Sequence, residues 1–248
     1  MKKKSMSLQI IDKKYQDLLI GIKEKFSASS TSIHKARNEI KIIQFQTKEL
    51  VVKSFKIPNI FNRVVYTFFR DSKAKKSYDY SLKIINFTPQ PIGFIEFYEY
   101  GLLKNSYFIS ENFNYDFTIR EPLLDENFPD REAIFRAFAN FTLALHDNNI
   151  FHDDYSPGNI LIKKEKQNFI FKIVDINRMK FIPLSADDRA KNFSKLWADE
   201  ETLNLISNEY LKSYQASSDF SKKVLDYSQK NKNIKNFKKR LKGKPVTD

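Results

Sequence analysis

The stretch Phe151–Ile162, FHDDYSPGNILI, constrains the fold of this chain more than any other. It lies between the most regular helical pattern in the sequence and a short apolar run. Upstream, PDREAIFRAFANFTLALHDNNI carries Ile134, Phe138, Phe141 and Leu145 along one face, with Asp130 placed to cap it. Downstream, ILIKK and FIFKIVDI flank the turn EKQN and read as a hairpin whose second strand ends at Asp175. A Ser-Pro-Gly-Asn turn accounts for part of the intervening loop. It does not account for His152 and two adjacent acids beside a buried strand.

A chemical site does. Asp154 and Asn159 lie five apart around a turn, and the hairpin can return Asp175 to the same cleft. Asn and Asp are hard oxygen ligands suited to Mg²⁺, and a further Asp near the metal can orient a hydroxyl and take its proton. The spacing resembles the protein-kinase catalytic loop. His152-Asp153-Asp154 stands where that superfamily has His-Arg-Asp, Asn159 stands at its asparagine, and VDIN stands at Asp-Phe-Gly. Asn177 then occupies the place of the glycine, and asparagine also tolerates unusual backbone angles.

The rest of the chain fits a two-lobed α+β layout. Residues 8–26 space Leu8, Ile11, Tyr15, Leu18, Leu19 and Ile22 as in a helix, and SASSTS follows as a loop. EIKIIQFQ and ELVVKSFKI read as paired strands, the second ended by Pro58. DSKAKKSYDYSLKII reads as a helix with Ala74, Tyr78, Leu82 and Ile85 on one face, broken by TPQP. IGFIEFYEYG and LLKNSYFISE form a hairpin turning near Gly101, and further helices fill 187–226. The expected architecture is a bilobal protein-kinase-like fold: a β-rich N-terminal lobe with one helix over 1–111, and a mainly helical C-terminal lobe over 112–248.

That fold requires a strand lysine paired with a helix acid. ELVVKSFK supplies Lys53, with Val51 on the same strand face to roof an adenine; Lys56 is the weaker candidate. The usual acid is Glu, but the only acids between Val51 and Ile95 are Asp71 and Asp79. Asp71, at the helix start, reads as a cap or dipole acid, so Asp79 is taken as the partner. No glycine lies between Ile22 and Gly93 to build a Gly-rich phosphate loop. SASSTSIHKARNEI would have to cover the phosphates with small residues and Lys35 or Arg37.

Between Asp175 and the next helix there is no Ala-Pro-Glu, so the peptide-docking segment of protein kinases is absent or reduced and a compact acceptor is favoured. The stretches ARNEIKI, VVKSFKIPNIFNRVVYTFFRDSKAKKSYDY, TPQPIGFIE, HDDYSPGNILI and VDINRMKF resemble the lipopolysaccharide kinase family, the Kdo and heptose kinases of Gram-negative bacteria. The resemblance implies ATP-dependent phosphorylation of an inner-core sugar, Kdo, on a lipid A precursor. It implies that Lys53 binds ATP phosphates, Asp154 is the catalytic Asp, and Asn159 and Asp175 hold Mg²⁺.

Composition narrows the alternatives. Zero cysteines exclude disulfides, thiolate zinc sites and Cys nucleophiles, and three histidines leave little for a metal cage. The basic N-terminus is broken by Asp12, Lys13 and Lys14 and fails as a signal peptide, so a cytoplasmic protein is expected. A net charge of +13 attracts polyanions. KNKNIKNFKKRLKGK, residues 230–244, holds eight Lys or Arg and no acid, with Ile234, Phe237 and Leu241 at helical spacing. It reads as a basic amphipathic helix on the inner face of the cytoplasmic membrane, bringing the enzyme to a lipid-linked sugar acceptor. Without a stacking-platform motif, no nucleic-acid partner is expected. A small-molecule kinase of the aminoglycoside or choline type remains open, as does a pseudokinase that binds a nucleotide or partner.

Overall fold

The computed structural model describes residues 4–35, 38–56, 59–243 and 245–246. The chain divides into two compact units, Met1–Asn114 and Tyr115–Asp248.

The first unit is built on a six-stranded antiparallel sheet. In chain order it contains β1 (Lys4–Ile10), α1 (Gln16–Ile20), α2 (Ile22–Ala28), β2 (Ser32–Lys35), β3 (Glu39–Phe45), β4 (Lys48–Ser54), α3 (Ile60–Phe68), α4 (Lys73–Lys83), β5 (Pro91–Glu99) and β6 (Leu102–Glu111). The strands lie in the order β1-β5-β6-β4-β3-β2. Strand side chains alternate between faces, and each face has its own cover. Leu18, Leu19 and Ile22 of the N-terminal helices pack on Leu50, Val52, Ile95 and Ile109 on one face. Ala74 and Tyr78 of α4 pack on Phe55 and Phe94 on the other. Because Val52 faces α1 and α2, Val51 and Lys53 face the α4 side.

Three sequence expectations need correction here. The 8–26 segment is not one helix: residues 4–10 form edge strand β1, paired with β5. Its apolar Met6, Leu8 and Ile10 alternate with Ser5, Ser7 and Gln9, a period of two that outweighs the helical spacing further on. Helix follows only after Asp12 accepts a hydrogen bond from the Lys14 amide at 3.0 Å. In α4 the buried face is Ala74, Ser77, Tyr78 and Ser81, whereas Leu82 and Ile85 are exposed. Small side chains let this helix lie close to the sheet. Its N-cap is Ser72, which accepts from the Lys75 amide at 3.1 Å, and not Asp71. The expected stop at Pro58 lies outside the described residues, and β4 already ends at Ser54. The paired strands around TKE and the hairpin at Gly101 are present as expected, with Tyr100 and Gly101 both left-handed in the turn.

The second unit contains β7 (Phe117–Thr118), α5 (Arg120–Leu124), α6 (Arg131–Asp147), β8 (Ile150–His152), β9 (Ile160–Glu165), β10 (Asn168–Ile173), β11 (Met179–Phe181), α7 (Ala186–Asn192), α8 (Glu200–Leu211) and α9 (Phe220–Arg240). Two small sheets, β10-β9-β7 and β11-β8, hold the polar loop between them in the chain. Ile134, Phe135, Phe138 and Leu145 bury one face of α6. Asp130 does not cap α6: it takes a left-handed backbone with no side-chain cap, and its carboxylate pairs with Lys164. The basic C-terminal segment continues α9 to Arg240, and the first half of α9 buries Phe220, Val224 and Ser228. Among the described residues no helix is long and apolar enough to cross a membrane.

Gly93 sets how closely β1 can approach β5. A Cβ there would fall 2.5 Å from the Gln9 carbonyl oxygen and 3.0 Å from Ile10 and Leu19. Gly93→Ala is expected to cost about 1–3 kcal/mol through this clash. Urea unfolding checks it; a midpoint equal to the wild type would show that the edge strand yields freely.

Candidate active site

The polar loop is pinned by His152. This imidazole is buried, and its two nitrogens join two chain segments. Nδ1 accepts the Asp154 amide at 3.1 Å, and Nε2 lies 3.1 Å from the Val174 carbonyl. Since Nδ1 accepts, the proton sits on Nε2 and is donated to Val174. Burial, the largest influence, lowers the His152 pKa and keeps this neutral form. The residue after Val174 is Asp175, so one side chain fixes the loop acid and the strand-end acid together.

Asn159 completes the arrangement. Its Nδ2 donates to the Asp154 carbonyl at 2.9 Å, and its own carbonyl accepts from the Val174 amide at 2.9 Å. Asn177 Nδ2 donates to Asp175 Oδ1 at 2.7 Å. Asp175 itself is left-handed, with φ 57° and ψ 41°. The unusual backbone expected at Asn177 is therefore carried by Asp175, and the strand before it ends at Ile173. A non-glycine residue held in that region is over-determined by its surroundings, a common condition at functional sites. Asp153 turns away, 3.1 Å from Lys180, and is exposed. The structure thus brings Asp154, Asn159 and Asp175 onto one hydrogen-bonded frame. With its amide nitrogen committed, Asn159 has its side-chain oxygen left as an acceptor. Asn159 and Asp175 thus offer hard oxygen atoms of the kind that could hold Mg²⁺.

A second layer holds the loop from behind, and sequence reasoning missed it. Arg189 Nη1 donates to Tyr210 Oη at 3.0 Å, and Tyr210 Oη lies 2.9 Å from His146 Nδ1. His146 Nε2 lies 3.1 Å from Asn192 Oδ1, and Asn192 Nδ2 donates to the His152 carbonyl at 2.9 Å. All donors and acceptors agree when His146 is neutral and protonated on Nε2. Tyr155 adds a further tie, its fully buried hydroxyl 2.9 Å from Thr142 Oγ1 of α6. The available signal was Thr142 and His146, polar groups four apart on the otherwise apolar buried face of α6.

In the first unit, Lys53 on β4 lies opposite Ile40 of β3 and Phe108 of β6. Its ammonium is 5.4 Å from the centre of the Phe55 ring. Lys56 lies beyond the end of β4 and is exposed, which weakens it further as a candidate. Asp79, the helix acid expected to partner Lys53, has an ion pair within its own helix. Asp79 takes its ion pair from Lys75, one turn earlier on α4, at 2.6 Å, and Lys75 also lies 3.4 Å from Asp71. An i,i+4 pair on one helix needs no rearrangement, which explains its preference. The segment proposed to cover phosphates is the β2–β3 hairpin; Arg37 and the Lys35 side chain lie outside the described residues.

No family model and no curated protein matches this chain. A solved structure does: WaaP in complex with acyl carrier protein, at a TM-score of 0.54, covering 95% of this chain and 98% of that one with 11% identity. The chain has a protein-kinase-like fold. It joins a β-rich N-terminal unit to a mainly helical C-terminal unit, as the catalytic-loop spacing led us to expect.

Burial lowers the His146 pKa from 6.5 to about 4, and the His152 pKa moves the same way. Each binds a proton more readily in the unfolded chain. Their contribution is therefore complete above the unfolded value, near 6.5, and is lost as pH falls toward 4. Stability is expected to drop by up to about 1.4 kcal/mol per pH unit per histidine in that window. Thermal unfolding between pH 7 and pH 4.5 reads this, and a His146→Phe variant should show a shallower slope.

Proposed function

We propose that this protein is an ATP- and Mg²⁺-dependent kinase that phosphorylates an inner-core sugar of a lipopolysaccharide precursor, with Kdo as acceptor. The observation that carries the reading is the His152-fixed frame of Asp154, Asn159 and Asp175. The sequence resemblance and the shared fold with WaaP support the acceptor class. Asp154 would orient the acceptor hydroxyl and receive its proton; Asn159 and Asp175 would hold Mg²⁺, which supplies charge stabilisation for phosphoryl transfer; Lys53 would be the phosphate-binding lysine and Val51 the adenine-facing residue. For phosphoryl transfer such positioning and charge stabilisation supply nearly all the catalysis. Asp79 acts through Lys75, setting α4 against the strand that carries Lys53.

Asp154→Asn is expected to retain fold and ATP binding while losing at least about 100-fold in turnover. Asp175→Ala should instead lose Mg²⁺-dependent nucleotide binding, and Lys53→Ala should depress turnover more than Lys56→Ala. The assay offers Kdo-bearing lipid A, aminoglycosides and choline in parallel. Transfer only to the soluble acceptors would sink the lipopolysaccharide reading in favour of a small-molecule kinase. Nucleotide binding with transfer to none would make the chain a pseudokinase.

We also propose that it works at an anionic membrane surface, on the inner face of the cytoplasmic membrane. In α9 and just beyond, Ile234, Phe237 and Leu241 are exposed among Lys238, Lys239, Arg240 and Lys242. A second surface of the same character is α3, which turns its polar side inward. Arg63 Nε donates to the Leu103 carbonyl at 2.8 Å, and Thr67 Oγ1 accepts the Leu103 amide at 3.0 Å. Ile60, Phe61, Phe68 and Phe69 consequently face solvent, Phe69 with 78% of its surface exposed. No acid occurs between Glu49 and Asp71, while Lys53, Lys56, Arg63 and Arg70 do. Apolar contact plus positive charge is the chemistry of an anionic bilayer surface. Phe61→Ser with Phe68→Ser, or Phe237→Ser with Leu241→Ser, should each weaken sedimentation with anionic vesicles by about tenfold. High salt should weaken it in the wild type. Binding of acyl carrier protein with no partition to vesicles would overturn the membrane assignment.

A further inference from the structure

Trp197 lies in a strained backbone between α7 and α8. Its φ is 61°, in the left-handed region that a bulky side chain rarely enters. Helix α9 is strapped to the chain on both sides of it. Asn231 Nδ2 donates to the Ser194 carbonyl at 2.7 Å, and Lys232 Nζ donates to the Ala198 carbonyl at 2.9 Å. With α9 held there, Lys235 Nζ lies 4.6 Å from the centre of the indole ring and Lys239 Nζ lies 5.9 Å from it. The backbone strain and the two straps together present one aromatic face to two ammonium groups.

Of the two, Lys235 feels the charge of Asp154. Lys235 is partly buried, and burial is the largest influence lowering its pKa; Lys195 and Lys239 push the same way, and Asp154 opposes them. If Lys235 served only to balance Asp154, a direct ion pair would do so best. Among the described residues neither Lys195 nor Lys235 has a carboxylate within 4.0 Å. A cation–π contact fixes an ammonium without neutralising it. The result is positive charge held in a partly dry position near the proposed base, with its direction set by an aromatic ring. Like charges gathered this way are stabilised by an anion placed among them.

We propose that Trp197, Lys195 and Lys235 form the acceptor subsite of the second unit, taking the anionic substituent, carboxylate or phosphate, of the sugar whose hydroxyl Asp154 activates. This rests on the kinase reading above and adds the chemical feature by which the acceptor is recognised. An anionic substituent anchored on α9 leaves a hydroxyl of the same sugar to be presented to Asp154. Neutral sugars lack the anchor and are discriminated against.

Trp197 is the single tryptophan of the chain, so its emission reports on this subsite without interference. The full-length protein is titrated with free Kdo, which carries a carboxylate, with glucose 6-phosphate and with glucose. A saturable emission change is expected with an acidic sugar and none with glucose, and the tighter of the two acids identifies carboxylate or phosphate. Lys235→Met, which keeps the apolar stem, should weaken the acidic sugar by about tenfold and leave ATP affinity unchanged; Lys195→Met should act in the same direction. Circular dichroism confirms that each variant is folded. Equal response to glucose, or wild-type titration in both variants, overturns the subsite. Phosphoryl transfer with wild-type acceptor KM in Lys235→Met would sink the subsite and leave the kinase standing. A charge-dependent titration with no transfer to any acceptor would do the reverse.

Discussion

Everything in the second unit is arranged around the two hydrogen bonds of His152. One imidazole accepts an amide from the loop and donates to a carbonyl of the strand end, and so sets Asp154 and Asp175 in a common frame. Such a bridge works only while the ring is neutral, and burial provides for that. The requirement then passes outward. The His152 carbonyl needs Asn192, Asn192 needs His146, and His146 needs Tyr210, which Arg189 supplies with a proton donor. Each of these groups is satisfied by the next, and among the described residues of the network only Arg189 Nε is buried without a hydrogen-bond partner.

The loop itself was legible because its chemistry is local. Asp154, Asn159 and the turn between them fall within six residues, so the hydrogen bond from Asn159 to the Asp154 carbonyl is decided at short range. The hairpins around TKE and Gly101 were legible for the same reason, since turn residues and alternating apolar side chains decide them at short range. The relay behind the loop was not legible. Asn192 and Tyr210 lie 40 and 58 residues from His152 in the chain, and a lone polar residue in a helix gives no sign of the partner it will meet.

The misreadings share a cause. Leu8 was assigned to a helix because it keeps step with Ile11 and Tyr15, yet pairing with β5 gives the strand reading more buried contact. Helical spacing puts Leu82 and Ile85 on the face of Ala74 and Tyr78, whereas close approach to the sheet selects Ala74, Ser77, Tyr78 and Ser81. In each case periodicity or composition named a plausible position, and packing distance chose a different one.

The relay from Arg189 to His152 also bears on genetics. Its members touch no substrate in the proposed mechanism, yet each is required for the geometry of those that do. A screen that scores inactive variants would therefore recover substitutions at His146, Asn192 and Tyr210 alongside those at Asp154 and Asp175. Read as a map of contacts, such a screen would enlarge the active site by an entire layer of helices. Only the separation of variants that are folded and inert from variants that are loosened and inert would return the map to its true size.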